Sequence, residues 1–191
     1  VIYLYNLARE KSGDTSKVLY HVDACQSLNY FKIDMRSMHI DLLSFNSAKL
    51  YGPKGFAVLA TGSGPQLLPI ITGGGQESGL RSGTENLSGI VGGASAVLEA
   101  SAVRDLESLR LYKIQSQIFE IINSNSDYNF IQIVGPQNDI IKRSPNNINL
   151  IIKDFPSDEM VIRLDYAGYQ VSHKSACASD SEEGSYVLEA L

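Results

Sequence analysis

The sequence predicts an α/β fold, because short buried strands and helical segments follow one another along the chain. Three apolar, β-branched runs, at 17–24, 40–45 and 55–60, each stop at polar or turn-forming residues, which is typical of strands buried in a sheet. The segment from Leu87 to about Asn123 then carries the apolar spacing expected of a helix. Repeated strands with polar residues at their carboxyl ends predict a functional site along that edge of the sheet.

Further elements are predicted on both sides of this region. A helix is expected over 1–11, and the long helical segment is interrupted or joined near Ser101. The predicted apolar stripe of that segment consists of Ile114, Ile118, Ile121 and Ile122. A second α/β pattern follows, with strands at 130–134 and 148–152, a helix at 157–166 and a strand-like segment at 169–172. We therefore expect a first domain over 1–100 and a second over 101–191.

Composition and charge restrict the kinds of protein this chain could be. Apolar residues make up 43% of the 191 residues and charged residues 19%, which is an ordinary globular mixture. The net charge is −5 and no block of like charge occurs, so nucleic acid is not an expected partner. No apolar stretch approaches the roughly 18 residues needed to span a bilayer, so a membrane is not expected either. The start has no initiator Met and no basic signal-peptide region. Because there are only two cysteines, Cys25 and Cys177, a disulfide scaffold is excluded and a cytoplasmic location is expected.

Several residues could carry chemistry, but each has a commonplace alternative when it is considered alone. Asp23 after the first strand is more often a cap or turn residue than a catalytic one. Lys49 precedes a Gly-Pro turn, where a lysine is usually solvated. The glycine-rich loop at 73–84 could cradle a phosphate or simply connect two elements. Cys177 lies among small and polar residues with a histidine and a lysine nearby, which favours a reactive thiol. No metal site is predicted.

Five separated segments, taken together, favour the functional interpretation of these residues over the commonplace one. In chain order they read HVDACQ, SFNSAKLYGPKG, GGGQESGLRSGTEN, RSPNNIN and SACAS…SYVLEAL. This order resembles the cysteine desulfurases, in the class V aminotransferase group of pyridoxal 5'-phosphate (PLP) enzymes, over about 21–191. The resemblance implies an α/β fold. Residues 1–100 would be the C-terminal part of a fold-type I large domain with a mostly parallel sheet, and 101–191 a small α/β domain.

The resemblance implies a PLP site made of five residues. Lys49 matches the lysine that binds PLP covalently through its amine, which must later shuttle protons. Asp23 matches the carboxylate that pairs with the pyridine nitrogen, and Gln26 the side chain that hydrogen-bonds the phenolic oxygen. Asn46 stands where the family has a serine that contacts the phosphate. Thr84 matches a threonine that reaches the phosphate of the neighbouring subunit, which implies a homodimer.

Cys177 matches the catalytic nucleophile of the family, on a mobile loop. The implied reaction converts L-cysteine to L-alanine and leaves a persulfide on Cys177. A sulfur-acceptor or iron–sulfur scaffold protein is then the implied partner, in iron–sulfur cluster or thiolation pathways. A different class V aminotransferase is an alternative, although plain transamination needs no thiol. A non-catalytic fragment of a desulfurase is the other alternative.

Three departures from the family pattern are visible. Asn46 and Ala48 replace the usual serine and histidine before Lys49, and Ser47 could compensate. Gly184 stands where proline is common. The regions that supply the aromatic residue stacking on PLP and the arginine for the substrate carboxylate are absent. We therefore expect a fragment lacking both ends of the enzyme, one that is not a competent desulfurase by itself.

Overall fold

The computed structural model describes residues 6–8, 10–11, 18–63, 65–137, 139, 142–173 and 188. Residues 6–8 and 10–11 are helical, as predicted for the beginning of the chain. The chain divides into two compact units, Val1–Leu109 and Arg110–Leu191. The sequence places the domain boundary near residue 100, some way before this division.

The first unit contains a three-stranded sheet in the order β1-β2-β3. The strands are β1 (His21–Asp23), β2 (Leu42–Asn46) and β3 (Ala57–Thr61). β1 pairs with β2 in parallel, with Asp23 opposite Ser44, whereas β3 runs antiparallel to β2. The predicted α/β class is therefore confirmed, with a mixed sheet in the described residues.

A small hydrophobic core holds β1 and β2 together. Its buried members are Ala24, Ile40 and Leu43. The partly buried residues packed against them are Tyr20, Val22, Leu28, Ile33, Met35, Met38, Phe45 and Ala60. Because Ala24 follows β1 directly and Leu43 lies within β2, this core joins the end of β1 to the adjacent parallel strand.

One continuous helix, α1 (Leu87–Ser124), follows the sheet, so the two helical stretches on either side of Ser101 are joined. The predicted apolar stripe is wrong in part, since Ile114 is 42% exposed and Ile121 57% exposed. The buried positions of this part of the helix are instead Ser108, Gln115 and Phe119. Each residue advances about 100° around a helix, so a shift of one position is enough to move a side chain off the buried face. No described helix is long and apolar enough to cross a membrane.

The second unit contains a two-stranded antiparallel sheet of β4 (Ile131–Ile133) and β5 (Leu150–Ile152), followed by helix α2 (Ser157–Tyr166). The prediction of these three elements is confirmed. Residues 169–172 are not a strand. The amide of Tyr169 donates to the Leu164 carbonyl at 2.8 Å, because the chain closes α2 through Gly168 at φ +87°.

Two buried polar side chains hold the segment between β4 and β5. Gln115 of α1 is 2% exposed, and its Nε2 donates to the carbonyls of Ser144, Pro145 and Asn147. Arg143 is 7% exposed, and its guanidinium donates to the carbonyls of Val134, Pro136 and Asn147. Burial lowers the pKa of this guanidinium from its ordinary value. The RSPNNIN motif is therefore fixed by bonds from side chains to its backbone.

Candidate functional site

A carboxylate and an amine occupy the carboxyl ends of neighbouring parallel strands. Asp23 is the last residue of β1, and Lys49 lies three residues after the end of β2. Both side chains are exposed. Polar residues at this edge of a parallel pair lie in the usual position for a ligand site in α/β proteins, as the sequence predicts.

Lys49 sits in a short 3₁₀ helix, Ser47–Leu50, that begins directly after β2. Asn46 is its N-cap, in extended conformation, and the Oδ1 of Asn46 accepts a hydrogen bond from the Lys49 backbone N–H at 3.1 Å. Ser47 and Leu50 are buried, whereas Ala48 and Lys49 face solvent. The side chain of Lys49 therefore projects from a turn that the buried residues Ser47 and Leu50 anchor.

The turn after Lys49 is fixed by close packing. The chain reverses at Tyr51, with φ 62°, and a Cβ at the next residue, Gly52, would lie 2.8 Å from the Cβ of Ala96 in α1. The hydroxyl of Ser47 donates to the carbonyls of Pro53 and Phe56. Ser47 is thus committed to the turn, so the idea that it compensates for Ala48 at a cofactor phosphate is not supported by its hydrogen bonds.

Hydrogen bonds join the end of β1 to the cap of Lys49. The carboxylate of Asp23 accepts from the backbone N–H of Cys25 at 2.9 Å. The Nδ2 of Asn46 donates to the Sγ of Cys25 at 3.2 Å. A continuous set of contacts therefore links Asp23, Cys25, Asn46 and Lys49.

These contacts change the acidity of two groups. Hydrogen bonds from the side chain and then the backbone of Cys25 hold the pKa of the Asp23 carboxyl below its ordinary value. Burial first, and then the bond to Asp23, raises the pKa of the Cys25 thiol. At neutral pH the site thus contains an ionised carboxylate beside a protonated thiol.

Asn29 contacts Lys49 from the opposite side. It is buried, at 9% exposed, and its Nδ2 donates to the Lys49 carbonyl at 2.5 Å. Sequence reasoning did not identify Asn29 or the part played by Cys25. The available signal is a single amide side chain within the otherwise apolar and aromatic run Leu28–Phe31, where a buried polar group needs a partner.

Gln26 and Thr84 are less closely tied to this cluster. Gln26 is exposed in the turn that follows Asp23, one residue after Cys25. Thr84 is exposed in the loop before α1, and none of the described contacts joins it to Asp23 or Lys49. In the part of the chain that the structure describes, no group of three His, Cys, Asp or Glu side chains has the arrangement of a metal site.

The glycine-rich loop is folded onto itself. A short 3₁₀ helix, Gln76–Gly79, lies within it, and the buried Ser82 donates through its hydroxyl to the Gly74 carbonyl at 2.8 Å. The backbone N–H groups that bond within or beside this loop are those of Gly79, Leu80, Ser82 and Gly83. These four donors are already satisfied, so a phosphate bound by this loop would have to use its other backbone N–H groups. Cys177 and Gly184 lie outside the described residues.

The donor set at the strand ends fits PLP. A primary amine is the group that captures the aldehyde of this cofactor, and an ionised carboxylate is the group that pairs with its protonated ring nitrogen. Lys49 supplies the first and Asp23 the second. Both lie at one edge of the sheet and face solvent.

Comparisons with known proteins agree with this geometry. The chain is 36% identical to the cysteine desulfurase IscS of Dictyoglomus turgidum over 91% of its length, and 38% identical to that of Pseudomonas entomophila over 91%. A solved structure of a NifS-like protein from Rickettsia africae matches 91% of this chain, with a TM-score of 0.78 and 25% identity. The chain covers 43%, 42% and 45% of these three proteins, which is less than half of each.

The family model for class-V aminotransferases matches residues 8–186, nearly the whole chain. That span includes the strand ends with Asp23 and Lys49, the glycine-rich loop and the segment with Cys177. With the α/β fold and the site already described, the match is decisive: this chain belongs to the aminotransferase class-V family.

Proposed function

We propose that the whole protein containing this chain is a PLP-dependent cysteine desulfurase, which converts L-cysteine to L-alanine and transfers the sulfur to Cys177. The observation that carries this proposal is the pair of groups at the strand ends. Asp23 and Lys49 have the chemistry that PLP requires, and Cys25 and Asn46 connect them. The similarity to proteins named cysteine desulfurase selects sulfur transfer over plain transamination.

Each described residue of the site has a distinct task in this proposal. PLP, when bound, supplies an electron sink that makes a proton on the α-carbon of an amino acid easier to remove. The amine of Lys49 holds the cofactor and, once displaced by the substrate amine, carries that proton. Asp23 stays ionised because the pKa of its carboxyl is lowered by Cys25, so it can keep the ring nitrogen protonated. Gln26 would hydrogen-bond the phenolic oxygen. The second N–H of the Asn46 amide would donate to the phosphate.

The sulfur-transfer step belongs to Cys177. Its thiolate attacks the sulfur of the bound L-cysteine, the carbon–sulfur bond breaks, and the products are a persulfide on Cys177 and L-alanine. A protein that accepts sulfur, such as an iron–sulfur scaffold, would then take the terminal sulfur. The assembly would be a homodimer in which Thr84 reaches the cofactor phosphate of the other subunit. The exposed position of Thr84 before α1 is compatible with a contact of this kind. We propose a cytoplasmic location, on the ground that the sequence has only two cysteines.

Borohydride reduction of the PLP-loaded protein tests the role of Lys49, because it fixes the cofactor to the amine that holds it. Peptide mapping should place the label on Lys49. Lys54 is a matched control, since it is an exposed lysine in the same turn: Lys54→Ala should retain the label and Lys49→Ala should lose it. A label on Lys54 in the unaltered protein would refute the assignment.

A single turnover with L-cysteine tests the role of Cys177. Mass spectrometry of unreduced peptides should find one added sulfur atom on the peptide that carries Cys177. Cys177→Ala should still bind PLP but form no persulfide and release almost no alanine, whereas Ser179→Ala should behave as the unaltered protein. Added sulfur on the peptide with Cys25, or full alanine release by Cys177→Ala, would contradict the proposal.

A further inference from the structure

We propose that Asn29 and Asn46 are positioning residues for Lys49, which hold its backbone C=O and N–H respectively and so set the direction of its side chain. The proposal rests on the proposed role of Lys49 as the residue that binds PLP. Neither asparagine needs to touch the cofactor for this task. Their effect is on where the amine of Lys49 can reach.

The contacts define a clamp on one residue. Asn46 accepts from the N–H of Lys49 at 3.1 Å, and Asn29 donates to its carbonyl at 2.5 Å. The two asparagines come from different segments, since Asn46 ends β2 and Asn29 lies in the turn after β1. Both segments are part of the region packed on the core of the first unit. The N–H belongs to the peptide group before Lys49 and the carbonyl to the one after it, so neither flanking peptide group can rotate without breaking one of the bonds.

The orientation of the Asn46 amide is determined by its partners. A backbone N–H can only donate, so the oxygen of the amide must face Lys49 and its nitrogen must face away. The nitrogen finds the Sγ of Cys25 at 3.2 Å, and that thiol is protonated at neutral pH because its pKa is raised. Cys25 is in turn anchored by its backbone N–H on Asp23. The clamp therefore also fixes the Lys49 peptide relative to the carboxylate of Asp23.

The physical consequence concerns the long side chain of Lys49. Four methylene groups separate its amine from the backbone, so a small rotation of the peptide moves the amine by several times that displacement. Fixing the Cα–Cβ direction reduces the volume that the amine samples. Well-oriented groups react faster than loosely held ones, because the entropy of ordering them is lost before the reaction and not during it. Loss of the clamp should consequently slow capture of PLP more than it weakens its noncovalent binding.

Hydrogen exchange in the absence of PLP tests the clamp without using activity. Asn46→Ala should raise the exchange rate of the Lys49 amide about fivefold, the factor expected for loss of one hydrogen bond. Asn46→Asp keeps the acceptor oxygen and should preserve the protection. Asn125→Ala is a matched control, because Asn125 is the N-cap of another 3₁₀ helix and its side chain accepts from a backbone N–H of that helix, at Asp127. It should leave the Lys49 amide unchanged.

Trapping kinetics complete the test with the whole protein. The rate of borohydride-stable attachment of PLP to Lys49 should fall severalfold in Asn29→Ala and Asn46→Ala and stay unchanged in Asn125→Ala. Asn29 has no proposed contact with the cofactor, so Asn29→Ala separates the loss of positioning from the loss of the Asn46 contact with the phosphate. Unchanged exchange in both alanine variants would overturn the clamp. Faster exchange with unchanged trapping would overturn the positioning role while leaving the proposed function intact. Attachment to a residue other than Lys49 would instead refute the proposed function. Asn29 is buried, so its replacement can prevent folding. If Asn29→Ala does not fold, the exchange rate of the Lys49 amide in Asn46→Ala decides whether the clamp exists.

Discussion

Gln115 offers a sharp test of how the second unit is held together. Its amide is 2% exposed and donates to the carbonyls of Ser144 at 3.1 Å, Pro145 at 3.3 Å and Asn147 at 2.8 Å. Gln115→Leu keeps a side chain of similar volume but removes every donor. The carbonyls of Ser144 and Pro145 then lose this donor, whereas that of Asn147 keeps its bond from Arg143. An unsatisfied buried polar group costs about 1–3 kcal/mol.

Urea unfolding measures this loss. With a denaturant dependence of about 2 kcal/mol per molar, a loss of about 2 kcal/mol lowers the midpoint by about 1 M with an unchanged slope. The matched control is Gln117→Leu, the same change two residues along α1 at an exposed position. That variant should stay within about 0.5 kcal/mol of the unaltered chain.

The location of the damage gives a second readout. Hydrogen exchange should accelerate in 143–149, the segment whose carbonyls Gln115 holds, and should be unchanged around Lys49 in the first unit. Equal midpoints for Gln115→Leu and Gln117→Leu would refute the reasoning, because the three hydrogen bonds would then contribute nothing to stability.

The remaining predictions concern the first unit. Gly93→Ala should destabilise the chain by about 1–3 kcal/mol, because the added methyl would lie 2.3 Å from the ring of Phe56. This clash should outweigh the better helix propensity of alanine. Gly75→Ala is the control: its methyl meets open space, so the urea midpoint should change little. The pH midpoint for alkylation of Cys25 by iodoacetamide should lie above that of the urea-unfolded chain, since burial and Asp23 raise the pKa of its thiol. Equal midpoints would contradict this. The pKa of the Asp23 carboxyl is lowered, so its contribution to stability is present above the ordinary carboxyl pKa and is lost as pH falls through the folded-state value. An NMR titration of the Asp23 carboxyl checks this. The midpoint should lie below the ordinary carboxyl pKa, and a midpoint at or above it would contradict the prediction.

Local pattern was sufficient for the elements whose signal lies within a few residues. The helix predicted at 157–166 has the bounds of α2, Ser157–Tyr166. The strands are found where apolar, β-branched runs occur, although β1 is shorter than the run that predicts it. A strand is bounded by the residues that have a pairing partner, and β1 has partners in β2 for three residues. The partner is not a local property of the sequence.

Burial of particular faces depended on neighbours that are distant in sequence. The isoleucines of α1 have the periodicity of a core stripe, yet Ile114 and Ile121 are exposed and Gln115 is buried. The carbonyls of the segment after Arg143 require a donor at this point, and the amide of Gln115 supplies it. Hydrophobic periodicity contains no information about such a requirement, which arises when two segments meet.

The sequence by itself determined the α/β class and the family, and it singled out Lys49 and Asp23 as the residues proposed to hold PLP, because residue identity and order carry that information. The tertiary structure decided what surrounds them. It brought the side-chain amide of Asn29, 20 positions before Lys49, into a hydrogen bond with the carbonyl of that lysine. It also brought the Sγ of Cys25 within hydrogen-bond distance of the Asn46 amide. Parallel pairing of β1 with β2 is the physical reason, since it sets the ends of two strands that are far apart in sequence side by side.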